Sequence, residues 1–505
     1  LQVDSQPACC RPAKLWLAIA LPALVLYTAT ANRSVEWQDA GIHQVRIVTG
    51  TIHNDRGLAL THPVHYYLGR AALHLPVQEP AFAITLVSCV AGAIAVANIA
   101  VVVFLLTSRS VAAVLSAAGI ALAHIFWYDA THTESYAIVS ALLTMEWICL
   151  VRYLQTGRSG WVLALAAANG LGFGNHLLAG LVTPIDAIFV LWAVRRQRLP
   201  VGVAVLAAAI WIGGSLPFTA LVTQEAVRTG DLSATLRSAF FGNFQKEVMS
   251  TRINWKALAV SLGMVVYNFP NLMAWGVAAA WGSRRSMPKA LRYVLVAELL
   301  LFFAFVIRFG VIDQYTFLFV VYLPLVVFAG LGFARLAQWR PHGWRVVAGL
   351  IALSIVLNPV WYLTARRVLE NRHALDKMWP HKPYRDSYGV FLEPWGFRTH
   401  HGTELNAAVR RSVGSQGLVL VGDSMMMPGL QYAAALGRLD AGVQLGVVPL
   451  RLNTQRAADL AAKVVANFRA AQPVVQIPAD STREPTWPQG ASWRREGDIY
   501  ILTGL

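Results

Sequence analysis

The chain has 505 residues, of which 56% are hydrophobic and only 13% charged, and this excludes a soluble globular protein, whose core cannot absorb so much apolar sequence. A formal net charge of +16 does not signal nucleic acid, because the Lys and Arg residues flank apolar blocks instead of forming one basic face. The four cysteines, Cys9, Cys10, Cys89 and Cys149, have neither disulfide nor metal-site spacing.

The apolar residues fall in blocks of about 17 to 25, enough to cross about 30 Å of hydrocarbon as helix. Their spacing predicts a polytopic α-helical membrane protein of about eleven spans, near residues 14–31, 82–106, 109–126, 135–152, 161–177, 178–194, 200–221, 256–281, 290–308, 314–335 and 345–364. Arg11 and Lys14 precede the first run, Leu15 to Ala31, which is long for a signal peptide and reads as an uncleaved first helix. Alternate connections carry Arg109, then Arg152 and Arg158, then Arg195, Arg196 and Arg198, then Arg284, Arg285, Lys289 and Arg292, then Arg335, Arg340 and Arg345. These are cytoplasmic by the positive-inside rule. Loops 32–81, 127–134 and 222–255, the turn around Asp313 and everything after about residue 365 then face out.

A membrane domain over residues 1–364 is thus followed by an extended Pro- and aromatic-rich connector, 365–400, holding Trp379 to Trp395, and by a small soluble α/β domain, 401–505. Strand-length apolar runs occur at Leu418 to Val421, Val447 to Leu450, Val474 to Ile477 and Ile499 to Leu502, and helical periodicity at Thr454 to Ala470.

Ionisable residues beside spans are costly, and their densest cluster here is on the outer side. Asp39 follows the first span by about two turns of chain, where a carboxylate can act as a general base or cap the helix that runs through Gln44 to Val48. The same loop closes on Thr61-His62-Pro63-Val64-His65-Tyr66-Tyr67-Leu68-Gly69-Arg70, suited to a phosphate and sugar hydroxyls or to an interfacial aromatic belt. Asp129, His132 and Glu134 crowd the next outer loop, as site residues, ligands of a divalent ion or a solvated turn. Gly170 to His176 is a glycine-rich polar break between spans, which persists at membrane depth only where protein or water satisfies it. Arg308 is a phosphate ligand or the ion-pair partner of Asp313. In the tail, Gly422-Asp423-Ser424 follows a strand as at an esterase nucleophile, but the Asp-x-x-His motif such a serine needs is absent, so Asp423 and Ser424 read as a strand-end turn or helix cap.

Taken in order, these loops resemble the bacterial membrane family related to protein O-mannosyltransferases, within the GT-C glycosyltransferase superfamily. The residues that carry the resemblance are Trp37, Asp39 and Gly41; His62, Pro63, Tyr66, Leu68, Gly69 and Arg70; Phe126, Trp127, Glu134 and Tyr136; Asn175 and His176; Asp313, Gln314 and Tyr315; and the connector Pro383-Tyr384-Arg385-Asp386. Each motif alone is weak, and the specificity lies in their order over residues 30 to 435.

The resemblance implies a polyprenyl-phosphate sugar donor, such as one carrying mannose, and an acceptor hydroxyl on a protein, lipid or glycan. It also implies a catalytic first outer loop, 32–81, in a bacterial inner-membrane protein whose tail is extracytoplasmic. Asp39 would then be the base and Glu134 an orienting carboxyl. His62, His65, Tyr66, Arg70, Asp129, Asn175, His176, Arg308, Gln314 and Tyr315 would bind substrate. No cofactor is implied, although the Asp129 and Glu134 pair leaves room for a divalent metal. One departure concerns the family's Asp-Ser-Gly-Glu, since Asp39-Ala40-Gly41-Ile42 lacks the glutamate. The competing classes are a transporter or flippase of a lipid-linked glycan and a non-catalytic glycan-binding scaffold.

Overall fold

The computed structural model describes residues 12–282, 287–311, 313–339, 341–376, 381–449 and 454–505. Cys9, Cys10, Arg11, Arg284, Arg285, Arg340, Trp379 and Leu450 lie outside the described residues. Helices α1 (Pro12–Thr30), α2 (Gln38–Thr49), α3 (Pro63–Ala72), α4 (Pro80–Thr107), α5 (Ser110–Ala121), α6 (His124–Thr131) and α7 (Tyr136–Thr156) form the first half. There follow α8 (Gly160–Asn175), α9 (Leu177–Arg195), α10 (Val201–Thr229), α11 (Leu232–Phe241), α12 (Gln245–Met249), α13 (Trp255–Asn268) and α14 (Leu272–Gly282). Helices α15 (Lys289–Arg308), α16 (Phe319–Trp339), α17 (Pro341–Val356) and α18 (Asn358–Asn371) complete the membrane part.

Among the described residues seven helices are long and apolar enough to cross a membrane, or nine if each of two bent pairs is one span. The expected eleven exceed this for a physical reason in each case. The segment 109–126 is bent by 69° between α5 and α6, and 345–364 by 45° between α17 and α18. The segment 256–281 is cut at Phe269 to Asn271, where Pro270 cannot continue the helix. The segment 161–177 forms α8, only 16 residues long.

Helices α4, α7 and α16 make the buried centre, whereas α1 and α10 turn Leu17, Leu21, Val205 and Ile212 outward, as lipid-facing helices do. The glycine-rich stretch before His176 is helix, not an irregular break. Its glycines serve packing, because a Cβ on Gly170 would lie 2.5 Å from the Trp211 carbonyl oxygen of α10 and one on Gly174 2.9 Å from that of Gly214. Only His176, extended between α8 and α9, leaves the helix.

After the membrane part come α19 (Ser387–Leu392) and α20 (His401–Val413), then β1 (Gln416–Val421), α21 (Met427–Ala435), β2 (Gly442–Val447), α22 (Gln455–Arg469), β3 (Val474–Ile477), β4 (Ser492–Glu496) and β5 (Ile499–Gly504). The sheet order is β2-β1-β3-β5-β4, with β1 parallel to β2 and β3, and β5 antiparallel to β3 and β4. Alternation divides the layers: Val419 and Val421 pack with α20 and α21, Leu418 and Leu420 with α22. Of the run expected at Val447 to Leu450, Val447 closes β2, which pairs along the whole of β1 from Gly442, and the Val448 amide donates to the Val421 carbonyl. Strand β4, Ser-Trp-Arg-Arg-Glu, escapes an apolar pattern because it is a charged, largely exposed edge. Asp423 caps the turn after β1, accepting from the Met425 amide, and pairs with Lys382 at 2.5 Å.

The sheet domain sits on the segment between α1 and α4. Tyr432 of α21 donates to Glu79 and accepts from the Ala81 amide, Arg438 pairs with Glu79 at 2.9 Å, and the Trp37 ring stands 4.3 Å from that of His401.

Candidate active site

Asp39 stands in the first turn of α2. Trp37 is the N-cap and provides no side-chain hydrogen bond, and the Asp39 carboxylate points instead to the Arg56 guanidinium at 2.5 Å, so it is not the helix cap. The turn into α2 is tight: Gln38 has φ of 55°, and a Cβ on Gly41 would lie 2.3 Å from the Glu36 carbonyl oxygen, which explains glycine in Trp-x-Asp-x-Gly. Buried Glu36 ties this turn to the loop between α6 and α7, its carboxyl accepting from the Thr133 amide at 3.0 Å while Gln44 accepts from the Glu36 amide. Burial lifts the Glu36 pKa to about 8, against the smaller opposing pull of its hydrogen bonds to Thr133 and Asn32.

Asn175, the last residue of α8, joins three segments. Its amide oxygen accepts from the His65 backbone at 2.9 Å, its amide nitrogen donates to the Ser135 carbonyl at 3.3 Å, and its own carbonyl meets His62 Nδ1 at 3.0 Å. His62, at φ 44°, is thereby stacked on His176 with ring centroids 4.7 Å apart, and His43 lies within 5.2 Å of His62 and 5.0 Å of His65. Burial holds His62 down to about 4, with Arg46 adding to the drop against the Asn175 carbonyl, and His65 down to about 3, with His62 and Arg46 contributing. Burial and the neighbouring imidazoles likewise depress His43. At neutral pH these rings are uncharged hydrogen-bonding groups.

These residues form the polar end of one cavity of about 390 Å³. Asp39, His43, Asn54, His62, Glu134, Tyr136, His176 and Asp313 line that end, together with Ile42 at the position of the missing glutamate. The remainder is apolar, walled by Phe173, Phe240, Phe241, Phe244, Phe305, Phe309 and Phe317. Burial raises the Glu134 carboxyl well above its ordinary range, and Asp129, Asp39, Glu36 and Asp313 push it further. It is therefore a proton-bearing group beside Asp39.

Of the residues singled out in the sequence, Asp39, His62, Glu134, Tyr136, His176 and Asp313 meet at this cavity, and Asn175 holds His62 and the His65 backbone from behind. The others lie off its lining. His65 is buried against His43; Tyr66 packs with Ile47 and Ile84; Arg70 donates to the Ile47 carbonyl at 2.8 Å. Asp129 is buried in α6, Gln314 bridges Ser261 to the Val306 carbonyl, and Tyr315 packs on Phe391. Arg308 donates to the Ser250 carbonyl at 2.9 Å and pairs neither with Asp313 nor with the histidines. Among the described residues no group of three His, Cys, Asp or Glu is placed to hold a metal ion. His62 stacks on His176, while His43 meets His62 edge to face. Arg56, His43 and the phenylalanine wall complete the site beyond the residues first singled out.

An apolar bundle that holds a cavity lined by polar and aromatic side chains and carries a small sheet domain defines a polytopic integral membrane protein. Residues 59–199 match the family model described as the protein O-mannosyl-transferase TMEM260 N-terminal domain. In fold the chain is similar to ArnT from Cupriavidus metallidurans in the apo state, at 16% identity and a TM-score of 0.56, covering 97% of this chain and 98% of that one. It is also similar to the arabinofuranosyltransferase AftD from Mycobacteria, at 14% identity and a TM-score of 0.54, covering 98% of this chain and 40% of that one. No curated protein sequence matches it.

Proposed function

We propose that the protein transfers a sugar, mannose being one candidate, from a polyprenyl-phosphate donor to an acceptor hydroxyl at the extracytoplasmic face of the bacterial inner membrane. The observation that carries this reading is the continuity of the cavity, whose carboxylate- and imidazole-lined end opens directly onto a phenylalanine wall. Such a space suits a ligand that is polar at one end and isoprenoid at the other.

Asp39 takes the proton of the acceptor hydroxyl while the acceptor oxygen bonds to the anomeric carbon. The bond from that carbon to the phosphate oxygen breaks, its electron pair leaving with the prenyl phosphate, and the displacement inverts the carbon. Neutral His176, whose Nδ1 accepts from the Leu178 amide, donates from Nε2 to the phosphate; His62, whose Nδ1 donates to the Asn175 carbonyl, accepts a sugar hydroxyl at Nε2, and protonated Glu134 orients another. Glu134 and Asp313 supply the further carboxyls at the cavity where Ile42 replaces the family glutamate. The acceptor is a protein, lipid or glycan hydroxyl.

Proteoliposomes carrying the purified chain and radiolabelled polyprenyl-phosphate mannose test this. The reading expects label in an acceptor; label moved only between leaflets would make the protein a flippase, and label bound without reaction would make it a scaffold. Orientation has its own test, since a phosphatase reporter fused after Leu505 is expected to be active and one after Arg198 silent. The reverse pattern would place the cavity on the wrong side.

A further inference from the structure

The cavity has an electrostatic gap. A lipid phosphate entering it meets Asp39, Glu134 and Asp313 and histidines held neutral, while among the described residues no Lys or Arg belongs to the lining. The neighbouring guanidiniums are engaged elsewhere. Arg46 donates to the carbonyls of His53, Leu60 and Thr61 and so shapes the loop, Arg70 holds the Ile47 carbonyl, and Arg308 that of Ser250.

Arg56 differs. Its guanidinium meets the Asp39 carboxylate at 2.5 Å, and the two side chains remain 36% and 52% exposed. Its backbone is pinned, with the amide donating to the Asn54 side chain and the carbonyl accepting from the Asn243 amide, each at 2.9 Å. The next residue, Gly57, packs so closely that a Cβ there would lie 2.6 Å from the Gly242 Cα. A fixed loop thus presents a long, partly solvated cation at the rim of the polar end, beside Asn54 in the lining.

We propose that Arg56 is a phosphate latch: in the empty site it masks Asp39, and on donor binding it moves to the lipid phosphate and leaves Asp39 free as the base. This rests on the lipid-phosphate reading above and adds to it the group that recognises the phosphate and controls the base. An exposed ion pair contributes little, so exchanging one carboxylate for one phosphate oxygen is easy. The donor phosphodiester gains charge as its bond to the sugar breaks, so the guanidinium holds the departing prenyl phosphate more strongly than the donor. The latch also couples donor arrival to activation, keeping the acceptor hydroxyl unreacted until a phosphate is present.

The test is binding of farnesyl phosphate and of farnesol to the purified full-length protein in nanodiscs. Wild type is expected to bind the phosphate roughly tenfold or more tightly than the alcohol. Arg56→Ala and Arg56→Gln should lose most of that preference with farnesol binding unchanged, and Arg56→Lys should keep part of it. Asp39→Asn should tighten farnesyl phosphate binding, because the competing carboxylate is gone; a merely structural ion pair would not do this. Arg56 variants with the full preference, or weaker phosphate binding in Asp39→Asn, would overturn the latch. Equal binding of the two ligands by wild type would instead overturn the lipid-phosphate reading itself. Should an Arg56 variant lose farnesol as well, Asp39→Asn decides.

Discussion

The two ends of the cavity are built on opposite plans. The polar end is assembled from four distant stretches of chain, and its members are held by buried hydrogen bonds, with Asn175 joining α8 to α3 and to the loop before α7, and Glu36 joining that loop to the turn into α2. The aromatic end is held by ring contacts, such as Phe309 with Phe305 at 5.2 Å and with Phe317 at 5.0 Å, and by the short helices of the loop between α10 and α13. Position matters to fractions of an ångström at the first and hardly at all at the second. Reaction geometry belongs to the polar end, and affinity for a flexible isoprenoid to the aromatic end.

The sharpest way to separate the two is at Asp39. Asp39→Asn keeps size and removes the proton acceptor, so the transfer rate should fall roughly 10²-fold or more with donor binding not weakened. Near wild-type transfer by the purified variant would move the base to Glu134 or Glu36. Next in size, Asn175→Ala frees the His65 amide and the Ser135 carbonyl and loosens His62. We expect destabilisation of about 1–3 kcal/mol by thermal unfolding and a fall in kcat. An unchanged kcat would show that the hydrogen-bonded backing does not position the polar end.

The aromatic end should respond in another parameter. Phe309→Ala is expected to raise KM for long-chain donors several-fold with kcat nearly unchanged, because it removes binding shared by ground and transition states. A fall in kcat instead would erase the contrast between the ends.

How far the sequence reveals each end follows from the same contrast. Asp39, His62, His176 and Glu134 were legible because polar residues at membrane borders stand out from their surroundings and fell in a recognisable order. The phenylalanine wall was not, since Phe240, Phe241 and Phe244 are ordinary apolar residues of a connecting segment, and only the folding of α11 and the turn after it over Leu58 and Arg56 brings them to the cavity. Arg308 shows the opposite limit: it was placed beside the outer face, yet the direction of its side chain, toward Ser250, is not encoded in spacing. The glycines of α8 read as a break because Gly-rich sequence usually is one, whereas here they admit the backbone of α10.

A further test is a pH dependence beside the polar end. Burial raises Glu36 from an unfolded value near 4.5 to about 8. The folded state therefore holds a proton that the unfolded state has released, and stability is lost as pH rises through that interval. Glu36→Gln, which cannot ionise, should match wild type in thermal unfolding near pH 4.5 and grow more stable than it toward pH 8. A constant difference across that range would mean that Glu36 is not neutral in the fold.

The account rests on one cavity holding both parts of a lipid-linked substrate, and a cryo-EM structure with a bound polyprenyl phosphate tests this most directly. It should show phosphate density between His176 and Arg56, close to Asp39, with the isoprenoid lying along Phe241, Phe305 and Phe309. A phosphate bound outside the cavity, or a chain leaving away from the phenylalanine wall, would contradict it.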